Sequence, residues 1–273
     1  MKNIAIDVRA MLPEGTNLIG GKFVSAKSGD TIKITDPSTQ HVLLSMARST
    51  KEDVDSAVTT AATAQKSWNH MNPSQRANLL WRWADLCAEH AEELSILEAM
   101  EAGYPVKDAR ASFGGLPGLI RYNAGLADKI VGDSFPTTSP EWVGFSIREP
   151  YGVCGVIVPW NAPGILMMRD VAPAVAAGNS VVVKPAEDAP LACTYLVKLS
   201  LEAGIPPGVI NVVNGIGLEA GEPLASHPGV AHMSFTGSPE TGTKVMEACA
   251  KNHTPLNLEL GGKSPQIIFK DAN

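Results

Sequence analysis

Four short apolar runs in the second half of the chain close on residues that can do chemistry. Asn161 follows "GVCGVIVPW", Lys184 and Glu187 close "SVVVKPAE", Ser238 follows "VAHMSFTG", and Glu259 sits inside "PLNLELGG", just before Gly261 and Gly262. Taken singly, each has the look of a solvated loop residue or, for Asn161 before Pro163, of a turn residue. Four in succession at corresponding positions point instead to a cluster along one edge of a sheet. Lys184 and Glu187 offer a donor and an acceptor for ribose hydroxyls, and a carboxylate there repels a 2'-phosphate, which favours NAD over NADP. "GSPETG", Gly237 to Gly242, sets two glycines around a helix start, where free N–H groups and the helix dipole suit a phosphate; an ordinary capped turn reads equally well.

The elements that must position these residues have a βαβ rhythm from Gly152 onward. Continuous Val and Ile runs suit strands buried on both faces of a parallel sheet, and ligands of such sheets bind beyond the carboxyl ends of the strands. Pro190 near the start and Gly204 just past the end of "PLACTYLVKLSLEAG" mark a helix. Earlier in the chain, residues 17–48 alternate polar and apolar around the turn formers Ser28, Gly29 and Asp30, predicting extended structure. Ser49 and Glu52 read as a capping box for a helix carrying Val54, Val58, Ala61 and Trp68. Asn72 before Pro73 starts a second helix, with Leu80, Trp83, Cys87, Leu94 and Leu97 for its buried side. Between Val106 and Ile130, Gly114, Gly115, Pro117 and Gly118 predict a broken helix. Residues 132–150, with Pro136, Pro140 and Pro150, read as an extended excursion.

At 273 residues with 44% hydrophobic and 18% charged content, the composition is that of a soluble globular protein with room for a sizeable core. A net charge of -6 without any Lys or Arg block argues against nucleic-acid or anionic-membrane partners. Asp7 and Arg9 interrupt the N-terminal segment where a leader needs an apolar stretch, and no eighteen consecutive apolar residues occur, so a cytoplasmic protein is expected. Cys87, Cys154, Cys193 and Cys249 lie far apart, as suits unpaired thiols in a reducing compartment.

"PWNAP" from Pro159, "KPAE" from Lys184, "FTGS" from Phe235 and "LELGGK" from Leu258, in that order, resemble signatures of the NAD(P)-dependent aldehyde dehydrogenase superfamily, here its N-terminal portion only. The similarity is looser before Gly132, where "EAG" from Glu101 matches a family motif and Tyr104 stands where Lys is common. The resemblance implies an α/β fold, a Rossmann-like open parallel sheet with flanking helices plus an extended oligomerisation hairpin. The implied division is residues 1–131 as N-terminal strands and helices of the cofactor domain, 132–150 as the hairpin, 151–262 as the NAD-binding Rossmann-like region and 263–273 as the start of a truncated catalytic domain.

The activity implied is oxidation of an aldehyde to a carboxylic acid with NAD, NADP being admitted, in a homo-oligomer. A cysteine thiolate attacks the aldehyde, hydride passes to the nicotinamide and water hydrolyses the thioester. Asn161 matches the oxyanion-stabilising amide and Glu259 the general base. Lys184 and Glu187 match the adenosine-ribose contacts and Ser238 a pyrophosphate contact. Ile157, Pro159, Trp160, Gly217, Phe235, Gly237, Gly242 and Leu260 complete the implied cofactor site. None of the four cysteines matches the nucleophile: Cys87, Cys154 and Cys193 read as core thiols. Cys249 and His253 have the spacing of metal ligands on a helix, but no third ligand accompanies them, and no metal site is expected. The competing reading is a non-catalytic nucleotide-binding or assembly module. "IIF", Ile267 to Phe269, reads as a strand entering a further domain.

Overall fold

The computed structural model describes residues 6–273; residues 1–5, the first part of the segment read as lacking a leader, lie outside it. A short helix α1 (Val8–Met11) leads into β1 (Thr16–Ile19) and β2 (Lys22–Ser25), then β3 (Thr31–Thr35) and β4 (Val42–Ala47). Four helices follow: α2 (Lys51–His70), α3 (Pro73–Glu89), α4 (Ala91–Ala102) and α5 (Val106–Ala124). A small hairpin of β5 (Ser134–Phe135) and β6 (Gly144–Phe145) precedes the alternating half. That half comprises β7 (Val153–Ile157), α6 (Pro163–Ala176), β8 (Ser180–Lys184), α7 (Leu191–Glu202), β9 (Ile210–Val212), α8 (Glu222–Ala225), β10 (His232–Gly237), α9 (Pro239–Ala250) and β11 (Leu256–Leu260). One π-helical turn, Gly217–Gly221, runs into α8. No helix among the described residues is long and apolar enough to cross a membrane.

The main sheet has seven strands in the order β11-β10-β7-β8-β9-β1-β2. The five from β11 to β9 are parallel, whereas β1 and β2 join antiparallel, so the sheet is mixed. Alternation along each strand feeds two cores. Cys154, Val156, Val181 and Val183 face the layer that holds α3 to α7, and Val153, Val182, Met233 and Phe235 face α2, α8 and α9. Two buried tryptophans tie the helices to the sheet's neighbours: the Trp68 indole N–H donates to the Val175 carbonyl and that of Trp83 to Leu196, each at 2.9 Å. The N-terminal edge is fixed by side-chain amides. Asn17 Oδ1 accepts from the Asn214 N–H at 2.8 Å and from Ser49 Oγ at 3.0 Å, and Asn214 Nδ2 donates to the Thr16 carbonyl at 3.0 Å.

Several local expectations change. Helix α2 is capped one residue later than the Ser49/Glu52 pairing: Thr50 is the N-cap, and buried Asp53 accepts from the Thr50 N–H at 3.0 Å and from the Lys27 N–H at 2.9 Å. Ser49 is withdrawn into the Asn17 contact instead. Because Asp53 serves both a helix start and a loop, Asp53→Ala is expected to cost about 1–2 kcal/mol, read as a lower urea midpoint. Leu94 and Leu97 lie on α4 rather than on the helix from Pro73, because the chain turns at His90 without a glycine or proline to announce it.

Helix α5 runs unbroken through Gly114, Gly115, Pro117 and Gly118. Its Phe113, Leu116 and Ile120 are buried along one side, and each such side chain stabilises by about 1.5–3 kcal/mol, enough to offset the glycine and proline penalties. The three glycines carry open space where a side chain would begin. Ile267 to Phe269 form no strand; they are exposed, and the Phe269 carbonyl accepts from the Ala272 N–H at 3.1 Å.

Candidate functional site

Register across the parallel strands sets the strand ends in a row. Lys184 pairs with Ile157, Ile157 with Phe235 and Phe235 with Leu258, while Thr236 pairs with Glu259 and Gly237 with Leu260. With strands about 4.8 Å apart, Lys184 and Glu259 are separated by three strand steps, roughly 14 Å. The order reverses between β7 and β10: the chain runs from β7 through α6 to β8 on one side, and returns after β9 to lay β10 on the other. Ligands of open α/β sheets bind at such a reversal.

A cavity of about 550 Å³ lies there, bounded by Ile157, Phe235, Gly217, Gly221, Lys244 and Val245 among others. Three of the expected cofactor residues, Ile157, Gly217 and Phe235, line it directly. Its floor is held by the π turn, which Arg48 clamps to the end of β4 through two bonds to Glu219, at 2.8 and 2.6 Å. Lys184 lies behind the turn, its Cδ 3.7 Å from where a Gly221 side chain would begin. The lysine is only 4% exposed, and its ammonium donates to Glu187 Oε2 at 2.9 Å. Burial works against the charged form of Glu187, yet the Lys184 ammonium, with N–H groups of Glu187 and Gly217, holds the carboxyl below its ordinary range.

At the next strand end, Ser238 is exposed and caps α9, its Oγ accepting from the Thr241 N–H at 3.2 Å. Two glycines permit close approach. A side chain at Gly237 would meet the Phe235 ring at 2.5 Å, and one at Gly242 would meet Leu260 at 2.6 Å. Pro159, Trp160 and Asn161 occupy the loop between β7 and α6, with Trp160 and Asn161 exposed. Glu259 points to the opposite side of the sheet from Phe235, toward α6, where Arg169 Nη1 lies 3.8 Å away. The expected residues therefore fall into two groups on either side of the strand ends: those around the cleft by Lys184, and an acid facing α6.

Arg169, Asp170 and Thr236 belong to the second group, and sequence reasoning passed over them. The adjacent pair "RD" inside the otherwise apolar "GILMMRDVAPAVA" was the available signal. Glu98 was also missed, and Glu101 entered only as the first residue of "EAG". Glu98 accepts from the Gly164 N–H at 2.6 Å at the start of α6, and from the Tyr104 hydroxyl. Glu101 accepts from the Leu191 and Ala192 N–H groups at 2.6 and 2.8 Å at the start of α7.

All four cysteines are free and buried, and burial pushes their thiols up, Cys154 to about 12. Helix α9 ends at Ala250, so Cys249 and His253 do not share a helix face; His253 is exposed with a left-handed backbone. Among the described residues no group of three metal-ligating side chains gathers.

A sequence model of the aldehyde dehydrogenase family matches residues 23–273. Among curated proteins, the chain is 45% identical over 259 residues to aldehyde dehydrogenase family 2 member C4 of Arabidopsis thaliana, covering 93% of this chain and 52% of that protein. It is 41% identical to a hydroxyisobutyraldehyde dehydrogenase of Mycolicibacterium austroafricanum, covering 93% of this chain and 50% of that one. Among solved structures, the NAD+ complex of an aldehyde dehydrogenase from Bacillus cereus superposes with a TM-score of 0.93 at 40% identity, covering 99% of this chain and 56% of that one. The chain spans about half the length of the curated relatives it matches.

Proposed function

We propose, since this chain belongs to the aldehyde dehydrogenase family, that it forms the NAD-binding part of an enzyme oxidising an aldehyde to a carboxylic acid. The observation that carries this reading is the cavity at the β7/β10 reversal, with buried Lys184 and its partner Glu187 behind its π-helical turn. The residues present fit a dinucleotide. Lys184 has three donors and spends one on Glu187, leaving others for ribose oxygens. Glu187, held ionised, accepts from ribose hydroxyls and repels a 2'-phosphate, which favours NAD over NADP. Ser238 and the first turn of α9 present N–H groups to the pyrophosphate, and Gly237 and Gly242 keep that approach clear. Pro159, Trp160 and Leu260 border the path from there toward Asn161 and Glu259.

NAD, when bound, supplies the hydride acceptor. Asn161 offers a side-chain N–H to an oxygen that gains charge, and Glu259 takes a proton from water or a thiol. None of the four described thiols serves as nucleophile in this reading, each being buried. That same observation supports the second reading, a nucleotide-binding or assembly module without catalysis. The coding sequence downstream of Asn273 separates the two: a cysteine-bearing catalytic domain there supports the enzyme.

In the same proposal, residues 132–150 serve assembly of a homo-oligomer in the cytoplasm. Phe135, Trp142, Val143 and Phe145 are all exposed on or beside the hairpin, and the free cysteines suit a reducing compartment. Residues 1–131 and 151–262 are then one cofactor unit, because β1 and β2 complete the sheet of the later strands, and 263–273 lead toward the catalytic part.

Calorimetry of the 273-residue chain with NAD tests the cofactor site. Saturable one-site binding, tighter than that of NADP and without aldehyde oxidation by these residues alone, is expected. A flat titration with well-folded protein overturns it.

A further inference from the structure

Glu259 lies on the edge strand β11 with its side chain 52% exposed, and no hydrogen bond among the described residues holds its carboxylate. A long glutamate side chain left to itself samples several rotamers, whereas a proton acceptor has to be held in reach of its proton. The group in a position to hold it is on α6. Arg169 Nη2 donates to Thr236 Oγ1 at 2.7 Å, and Thr236 is the register partner of Glu259 across β10 and β11. From that anchor Nη1 stands 3.8 Å from Glu259 Oε2, and Nη2 stands 3.8 Å from Asp170 Oδ2. Both distances exceed a hydrogen bond and lie within strong Coulomb range.

We propose that Arg169 is a positioning residue for Glu259: anchored by Thr236, its guanidinium holds the Glu259 carboxylate beside the strand end, and Asp170 competes for the same charge. The assignment rests on the reading of Glu259 as the base. It also explains why two adjacent charges interrupt an otherwise apolar helix.

The surroundings of Asp170 make the competition measurable. Its side chain is only 11% exposed, and burial pushes its carboxyl up to about 6, with Arg169 opposing and Glu259 reinforcing the rise. Asp170 shares a cavity of about 460 Å³ with His232 and Ser234 of β10, Asn257 of β11, Cys154 of β7 and Tyr151 just before it. Burial lowers the His232 imidazole and raises the Cys154 thiol to about 12. The charges that act on Asp170 are those of Arg169 and Glu259. Above its midpoint Asp170 draws on the guanidinium; below it, the whole of that charge is left to Glu259.

Carbon-13 NMR of the full chain tests this through the Asp170 carboxyl titration and the side-chain order of Glu259, with NAD binding measured on the same samples. In Arg169→Met the Asp170 midpoint is expected to climb by about one pH unit and the Glu259 side chain to lose order. Arg169→Lys restores most of the Asp170 midpoint. Glu259→Gln moves that midpoint down. Thr236→Val, which cuts the anchor and keeps the charge, loosens Glu259 while the Asp170 midpoint stays near its original value. An unchanged Asp170 midpoint and Glu259 order in Arg169→Met, with NAD still bound, overturns the assignment alone. No saturable NAD binding by the unmodified chain overturns the functional reading, and with it the description of Arg169 as positioning a base.

Discussion

Replacing Glu101 by alanine is expected to destabilise the protein by about 2–4 kcal/mol, because two buried backbone N–H groups at the start of α7 lose their acceptor together. The urea midpoint falls accordingly with the slope unchanged. Because the two bonds end on different carboxylate oxygens, Glu101→Gln keeps one acceptor and turns an NH2 toward the other N–H, and it recovers only part of the loss. The same position gives a pH dependence. Burial raises the Glu101 carboxyl well above its ordinary value, with the Leu191 and Ala192 N–H groups pulling the other way and Glu98 adding to the rise. Burial likewise raises Glu98, against the bonds from Tyr104 and Gly164. A carboxyl raised in the folded state binds its proton more tightly there than in the unfolded chain, whose value is about 4.3. Its stabilising contribution is therefore full below about pH 4.3 and is lost as pH rises through the folded value. Urea midpoints measured from pH 5 upward decline on this account, and Glu98→Gln with Glu101→Gln flattens the decline.

Lys184→Ala is expected to weaken NAD binding by roughly 10- to 100-fold while the chain remains folded, as read by calorimetry beside circular dichroism. Hydrogen bonds from a charged donor contribute about 1.5–3 kcal/mol, and Lys184 is pre-set for them by burial and by the bond to Glu187. Glu187→Gln probes the other half of the pair. It removes the carboxylate that repels a 2'-phosphate, so the preference for NAD over NADP narrows. An unaltered preference, with NAD binding otherwise intact, removes Glu187 from the ribose site.

Strand positions were legible because their signal is local. Each of "GVCGVIVPW", "SVVVKPA", "GVINVVNG", "VAHMSFTG" and "PLNLELGG" contains a strand of the sheet, since continuous branched residues leave little else for a doubly covered strand to be. The polar strand ends followed from the same pattern. What escaped notice depends on partners far away in the chain. That β1 lies antiparallel beside β9 rests on Asn17 meeting Asn214, and nothing in either neighbourhood records it. Glu98 and Glu101 sit in "ILEAMEAG", where a buried acid and a solvated one look alike until the N–H groups at the starts of α6 and α7 arrive to donate to them. The glycines of α5 spoke for a break, and the burial of Phe113, Leu116 and Ile120 outweighed them.

The Asn17–Asn214 bond also sets a waiting time. Its partners are 197 residues apart, and a ribosome making about 5–20 residues per second needs roughly 10–40 s to travel between them. Until β9 is made, β1 and β2 have no third strand to join, and a lone two-stranded hairpin is marginal in water. Leu18 of β1 is fully buried in the finished sheet, where Val212 of β9 is its register partner. An early segment made first and seated late is where translation speed and chaperone supply govern the yield of folded protein.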